Sequence, residues 1–340
     1  MKYSFLCYLL LSLIFCSCEN GIKPINQQYQ GMPYEEEVFS EPKTVFNPAD
    51  CPSFSYDEDE KFTILHLTDV HLDSNPSLEK TKTEVLNFIK NTIETEKPDL
   101  VIITGDLLFD SVSPVNTLQA FVDLMDGLKQ NWAFCYGNHD REKICTSAFQ
   151  NIIENSDYCV FQSGPDWVMG DSNYCIALTK DGQVRQALVL MDSNSYYQGN
   201  REVYSPIYNS QKYFYKWVSE SLSVPLFAFF HIPIPEYKTL WEHREELGVI
   251  GTKGEEVCCP PVNTGFYNTA KASGTVAIFC GHDHVNDYYG KLESDGPTLV
   301  YGRSLGKLCY GNDELFGARL ITLDAEHKTD FSMRDIFMYH

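Results

Sequence analysis

Five short apolar runs in this chain each end in residues that a hydrophobic core would not select. ILHL (64–67) leads to Asp69 and His71, LVIIT (100–104) to Asp106, and WAFC (132–135) to Asn138 and His139. PLFAFF (225–230) leads to His231, and TVAIFC (275–280) to His282 and His284. Short apolar runs bounded by polar punctuation read as buried strands. In open α/β sheets, sites form just beyond the carboxyl ends of such strands. Five of the chain's nine histidines fall at these ends, so any acceptable fold must bring several strand termini to one place. At Asp69 and His71, spaced two apart, an extended backbone would point both side chains the same way.

Between the first strands the pattern is helical. Leu78, Val85, Leu86, Ile89 and Ile93 recur at helix spacing, and Pro114 to Leu128 is a second amphipathic stretch. This strand–helix alternation predicts a parallel sheet of βαβ units. The second half is strand-rich (YCIALTK, QALVLMDSN and PTLVYGRS besides the two runs above) with one helix around Ser210 to Ser221. Two mixed sheets packed face to face, with helices outside, fit that inventory. No internal repeat is visible.

The N-terminus reads as a targeting signal over residues 1–18: Lys2, an apolar stretch from Phe5 to Phe15, then CSCEN. That stretch is too short to span a bilayer and has the charged start of a secretory signal. Ser17-Cys18 resembles the cleavage site of a bacterial lipoprotein, so the expectation is export with membrane attachment through lipidated Cys18, and otherwise secretion. Residues 19–60, with five prolines and the acidic YEEEV, read as a linker or extension that tethers or wraps the domain. The folded domain is expected over 61–340. Nine of the twelve cysteines lie beyond Cys18. An exported chain can pair some of them, and the connectivity stays open.

With 43% apolar and 14% aromatic residues in 340, the chain can bury a sizeable core. Its formal charge of −21 argues against stable nucleic-acid binding, which needs basic stripes. Singly, each strand-end residue has an ordinary explanation: Asp and Asn cap helices and make turns, and a lone histidine is more often a core residue. As an ordered set they suit first-row divalent metals (Mn, Fe or Zn), and they are too many for one ion. Two neighbouring metals sharing a carboxylate serve in-line displacement at phosphorus.

The ordered series DVH, GDLLF, GNHD, FFHIPIPEY and GHDH resembles the calcineurin-like metallophosphoesterase superfamily, over about Lys61 to Gly306. HIPIPEY, PPVNTGF and YGRS are similar to its short, single-domain, purple-acid-phosphatase-like branch. The resemblance implies a four-layer α/β/β/α sandwich of two mixed β-sheets. It implies that Asp69, His71 and His284 bind a first metal and Asn138, His231 and His282 a second, with Asp106 bridging. His139 would be a non-ligand imidazole near the leaving group. Asp140 is a candidate partner that raises its pKa, or else a helix cap. Gly105, Gly137 and Gly281, each preceding a ligand, would let the backbone approach the ions. The tyrosinate that colours purple acid phosphatases is replaced by Phe109, so no charge-transfer colour is expected.

The expected activity is hydrolysis of a small-molecule or protein phosphate ester, most simply a monoester, by a metal-bridging hydroxide. Two carboxylates against two divalent ions leave the site positive even with hydroxide present, while the acidic surface is screened beyond about 8 Å. Arg303, Arg141 and Asn263 are possible substrate contacts. The rival readings are a phosphodiesterase acting on cyclic nucleotides or nucleic acid, and a catalytically silent phosphate-binding module of the same fold.

Overall fold

The computed structural model describes residues 37–40 and 50–339; the signal segment 1–18, with Cys18, lies outside them. The first sheet-forming residues are β1 (Ser53–Ser55) and β2 (Lys61–Leu67), followed by α1 (Glu79–Glu96) and β3 (Leu100–Thr104). Then come α2 (Pro114–Leu128), β4 (Trp132–Cys135) and α3 (Thr146–Glu154). β2, β3 and β4 are parallel neighbours, as the alternation of strands and helices requires. α1 buries Val85, Ile89 and Ile93 at four-residue spacing and stops at Lys97, which takes a left-handed φ of 49° directly before Pro98. α2 starts on Pro114, whose fixed φ suits a first helical turn.

The second half supplies β5 (Tyr174–Lys180), β6 (Gln183–Leu190), α4 (Asn209–Leu222), β7 (Leu226–Phe229), α5 (Glu236–Glu242) and α6 (Arg244–Leu247). It continues with α7 (Phe266–Ala272), β8 (Thr275–Cys280), β9 (Tyr289–Lys291), β10 (Thr298–Tyr301), β11 (Gly317–Asp324) and β12 (Phe331–Phe337). One sheet has seven strands in the order β1-β5-β6-β7-β8-β10-β9, the other five in the order β12-β11-β2-β3-β4. Both mix parallel and antiparallel pairs. The chain thus forms an α/β fold of two mixed sheets flanked by helices.

Strand periodicity divides the core. In β7, Phe227 and Phe229 join one apolar cluster and Leu226 and Ala228 the other; β6 alternates likewise, and β8 does from Ala277 onward. The first cluster fills the space between the sheets, where Phe229 and Phe279 stack with centroids 4.7 Å apart beneath His66 of β2. The second lies under α4, α5 and α7, with Phe214, Tyr215 and Phe266 facing the sheet. Trp132 and Phe121 pack β4 against α2.

Three features differ from the sequence reading. α3, α5, α6 and α7 are too short for a clear period, and α5 to α7 fall between two expected strands, where the sequence pattern marks no element. β1 lies ahead of Lys61, within the stretch read as an extension, and pairs in parallel with β5. Residues 37–40 also rest on the domain: Glu37 accepts from the Ser210 amide and hydroxyl at the start of α4, and Phe39 packs on Trp167 and Tyr213.

One edge of the sandwich is joined by charge. Arg319 of β11 donates through Nε to the Tyr301 carbonyl of β10 (2.8 Å) and through Nη2 to the Asp287 carbonyl, linking the two sheets. Its Nη1 meets Asp335 of β12 at 2.7 Å, and Asp335 also receives Arg303, which pairs with Asp287 as well. Both arginines are 2% exposed, so each depends on these partners for its solvation. Removing one side of a buried pair leaves the other uncompensated, at a cost of about 3–5 kcal/mol. Arg319→Ala is therefore expected to lower the thermal midpoint sharply and Arg334→Ala, on the exposed edge, hardly at all; a melting curve of each checks this.

Candidate metal centre

The five strand ends meet where the two sheets present their carboxyl termini. Asp69 and His71 follow β2, Asp106 follows β3 and Asn138 follows β4; His231 follows β7, and His282 and His284 follow β8. The convergence does not come from extended backbone. Asp69, His71, Asp106 and His282 have φ of 50°, 52°, 52° and 78°, the left-handed region that non-glycine residues seldom occupy. Each turn is secured by neighbouring loops: the Asp69 amide donates to the Gly105 carbonyl and the His71 amide to the Asp106 carbonyl at 2.9 Å. Concentration of such strain at one place marks a functional site.

Two glycines make the close approach possible. Gly105 itself has φ 78°, and a Cβ there would stand 2.8 Å from the His231 ring. At Gly281 a Cβ would collide with the Thr68 hydroxyl and stand 2.7 Å from the Asp69 carboxylate.

The donor atoms form two groups. Those of Asp69, His71 and His284 all lie within 4.8 Å of one another, and so do those of Asp106, His231 and His282. Asp106 Oδ2 stands between the groups, 3.6 Å from His71 Nε2 and 3.2 Å from His231 Nε2, which is where a shared carboxylate belongs. Asn138 Oδ1 lies 3.1 Å from His231 Nε2 on the second side. Outer contacts fix the orientation. Thr68 Oγ1 and the His282 amide occupy Asp69 Oδ2, turning Oδ1 inward. His231 Nδ1 and His284 Nδ1 face the carbonyls of Thr104 and Tyr310, each at 2.8 Å, leaving both Nε2 atoms toward the centre.

This arrangement fits cations. Asp69 Oδ1, both nitrogens of His71 and Nε2 of His282 are buried without a hydrogen-bond partner, which a protein seldom leaves in place unless something else satisfies them. Burial pushes His71 down to about 4 and, with His231 adding, His282 to about 3, so both offer lone pairs at neutral pH. His231 goes the other way: against the effect of burial, Asp106 and Asp69 lift it to about 10. Against burial too, His231 holds Asp69 well below the usual carboxylate range. Without cations, a proton on His231 would offset one of the two carboxylate charges. The donor set therefore fits two metal ions.

Around the centre, some sequence expectations are corrected. Asp140 does not face His139 and caps no helix. Its buried carboxylate accepts from the amides of Asp106 and Gly137 at 2.8 Å and Leu108 at 3.0 Å, pinning the loop that carries Asp106. His139 Nδ1 instead lies 3.0 Å from Glu142, which also holds the exposed Arg201 at 3.2 Å. Glu142 went unread because a three-residue offset after a strand carries no pattern without the turn that folds it back. Arg303 is sequestered as described, and Arg141 is held by Asp171 and Asp192 over the Tyr136 ring. Asn263 makes a turn, accepting from Gly265 and donating to Glu236. Aromatic rings line the rim: Phe109 against His71 and His139, Tyr204 edge-on to His282, and Tyr310 stacked on His284 at 4.1 Å.

Residues 62–286 match the family model described as calcineurin-like phosphoesterase, and the chain belongs to that family. It is related to the purple-acid-phosphatase-like branch. "Probable inactive purple acid phosphatase 29" of Arabidopsis thaliana is 31% identical over 255 residues, covering 66% of this chain and 64% of that protein. "Phosphatase DCR2" of Saccharomyces cerevisiae is 29% identical, over 75% of this chain and 48% of that one. The chain thus spans less than two thirds of the length of these relatives. Among solved structures, a dimetal phosphatase from Danio rerio shares the fold at a TM-score of 0.50 and 11% identity, covering 82% of this chain and 99% of that one.

With the His231 pKa lifted to about 10 by Asp106 and Asp69 in the metal-free site, metal uptake near pH 8 is expected to release about one proton from it. Calorimetric titration in two buffers of different ionisation enthalpy measures this. An enthalpy independent of buffer would show that His231 is already neutral.

Proposed function

We propose that the chain is a dinuclear-metal phosphoesterase acting on phosphate monoesters. The carrying observation is the placement of Asp106 Oδ2 between two complete groups of donors. Asp69, His71 and His284 would hold one ion, Asn138, His231 and His282 the other, and Asp106 would join them. Oxygen and imidazole donors without thiolate suit Mn, Fe or Zn. When bound, two such ions supply Lewis acidity toward phosphoryl oxygens and make hydroxide available near neutral pH. Phe109, beside His71, offers no phenolate to iron.

His139 is the group we assign to the leaving oxygen. Glu142 fixes its Nδ1, which directs Nε2 elsewhere, and Asp106 and Glu142 together raise its pKa against the opposing effect of burial. A raised pKa favours the protonated ring that a general acid needs. A general acid is worth about 10²- to 10⁴-fold. Asp140, holding the Asp106 loop, acts by position alone.

The plant relative's name calls it probably inactive, so a silent phosphate-binding module is the second reading. Both donor groups are complete in this chain, which supports activity. Elemental analysis combined with a panel of mono- and diesters separates the readings. Turnover of monoesters by protein carrying two metals per chain is expected; metal-replete protein that binds phosphate and turns over no ester would refute the enzymatic reading. His139→Ala is expected to lose about 10²- to 10⁴-fold in turnover with its metals retained, and Asp106→Ala to lose the metals themselves. Loss of metal from His139→Ala would make that residue a ligand.

The expectation of export also stands as part of this proposal, with residues 1–18 as signal and Cys18 as lipid anchor for a domain at the cell envelope. It rests on the sequence pattern of the N-terminus. Labelled palmitate should enter the chain expressed in a bacterium and be absent from Cys18→Ala. Equal labelling of both would place the lipid elsewhere.

A further inference from the structure

We propose that Cys51 and Cys175 are joined by a disulfide that fastens β1 to the edge of the seven-stranded sheet. Their sulfur atoms lie 2.7 Å apart, inside the roughly 3.5–4.0 Å at which unbonded heavy atoms settle. The approach is set by strand register. β1 and β5 run parallel with Ser53 beside Ala177, and the Ala177 amide donates to the Pro52 carbonyl at 2.9 Å. Two residues back along each strand, Cys51 and Cys175 must be neighbours. Cys175 is buried and Cys51 half-buried, so the pair is enclosed yet reachable. Other thiols are placed differently: Cys135 faces the Ile103 carbonyl and Cys145 the Ser147 hydroxyl.

The pair is also chemically asymmetric. A hydrogen bond from Cys175 lowers the Cys51 thiol, while the Cys175 thiol is pushed up by that contact and by burial. Cys51, half-buried where Cys175 is buried, is the sulfur that an external disulfide can reach. Its thiolate displaces one thiol from an external disulfide, such as oxidised glutathione, forming a mixed disulfide. The Cys175 thiolate then displaces the second thiol. Two protein thiols lose two protons and two electrons, and the external disulfide is reduced to two thiols.

β1 has only three residues, the short end of the strand range, so a covalent link adds to its few ladder hydrogen bonds. A bond spanning 124 positions encloses β2, β3 and β4 with the loops that bear Asp69, His71, Asp106 and Asn138. Cross-links closing long loops restrict the unfolded chain most. This inference does not depend on the proposed activity.

Non-reducing peptide mapping of the full chain, equilibrated with oxidised and reduced glutathione, is the test. A linked Cys51–Cys175 peptide is the expected result. Both residues found alkylatable in the folded, oxidised protein, or Cys51 linked to another cysteine, would overturn it. Cys51→Ser and Cys175→Ser should each lower the Tm by about 10 °C under oxidising conditions, and the double variant by no more. Dithiothreitol should erase the difference from the unmodified protein. Additive losses in the double variant would refute the bond. If the variants do not fold, the peptide map of the unmodified chain decides alone.

Discussion

The burial of two carboxylates, Asp69 and Asp106, among imidazoles is the constraint around which the rest is arranged. Each is about 1% exposed, and neither can be left ionised at that depth without positive charge nearby. Five strand ends from two sheets bring imidazoles to them, and the left-handed backbone at four of the contributing residues is the cost of that meeting. The remaining fold can be read as a rigid support that keeps this unfavourable cluster in place until cations balance it.

The support is layered outward. Thr68, the His282 amide and the carbonyls of Thr104 and Tyr310 orient the inner groups. Asp140 ties together the amides of the loops after β3 and β4. Behind them the stacked Phe229 and Phe279 lock the sheets, and the Arg303–Asp287–Arg319–Asp335 network closes one edge. Interiors packed at crystal-like density transmit displacement, so even remote changes in these layers should be felt at the centre.

Much of this was legible because strands and helices announce themselves by period. α1, α2 and α4 fall within a few residues of the apolar patterns that mark them, and the seven side chains singled out at strand ends do lie together. What escaped reading has physical causes. Glu142 reaches His139 through a turn whose shape no spacing encodes, whereas Asp140, adjacent in sequence, points to backbone amides. Arg303 and Arg141 look like phosphate ligands until the buried carboxylates that hold them are seen. Three-residue β1 and four-residue α6 carry too few side chains for any periodicity to emerge.

The rest taken by Glu37 and Phe39 against α4 has a geometric consequence for a chain acylated at Cys18. Only nineteen peptide steps would separate the lipid from the first docked residue, and a fully stretched backbone covers at most about 3.6 Å per step. Glu37 would then stand within about 70 Å of the bilayer. The docked segment would thus hold the domain beside that membrane on a short leash.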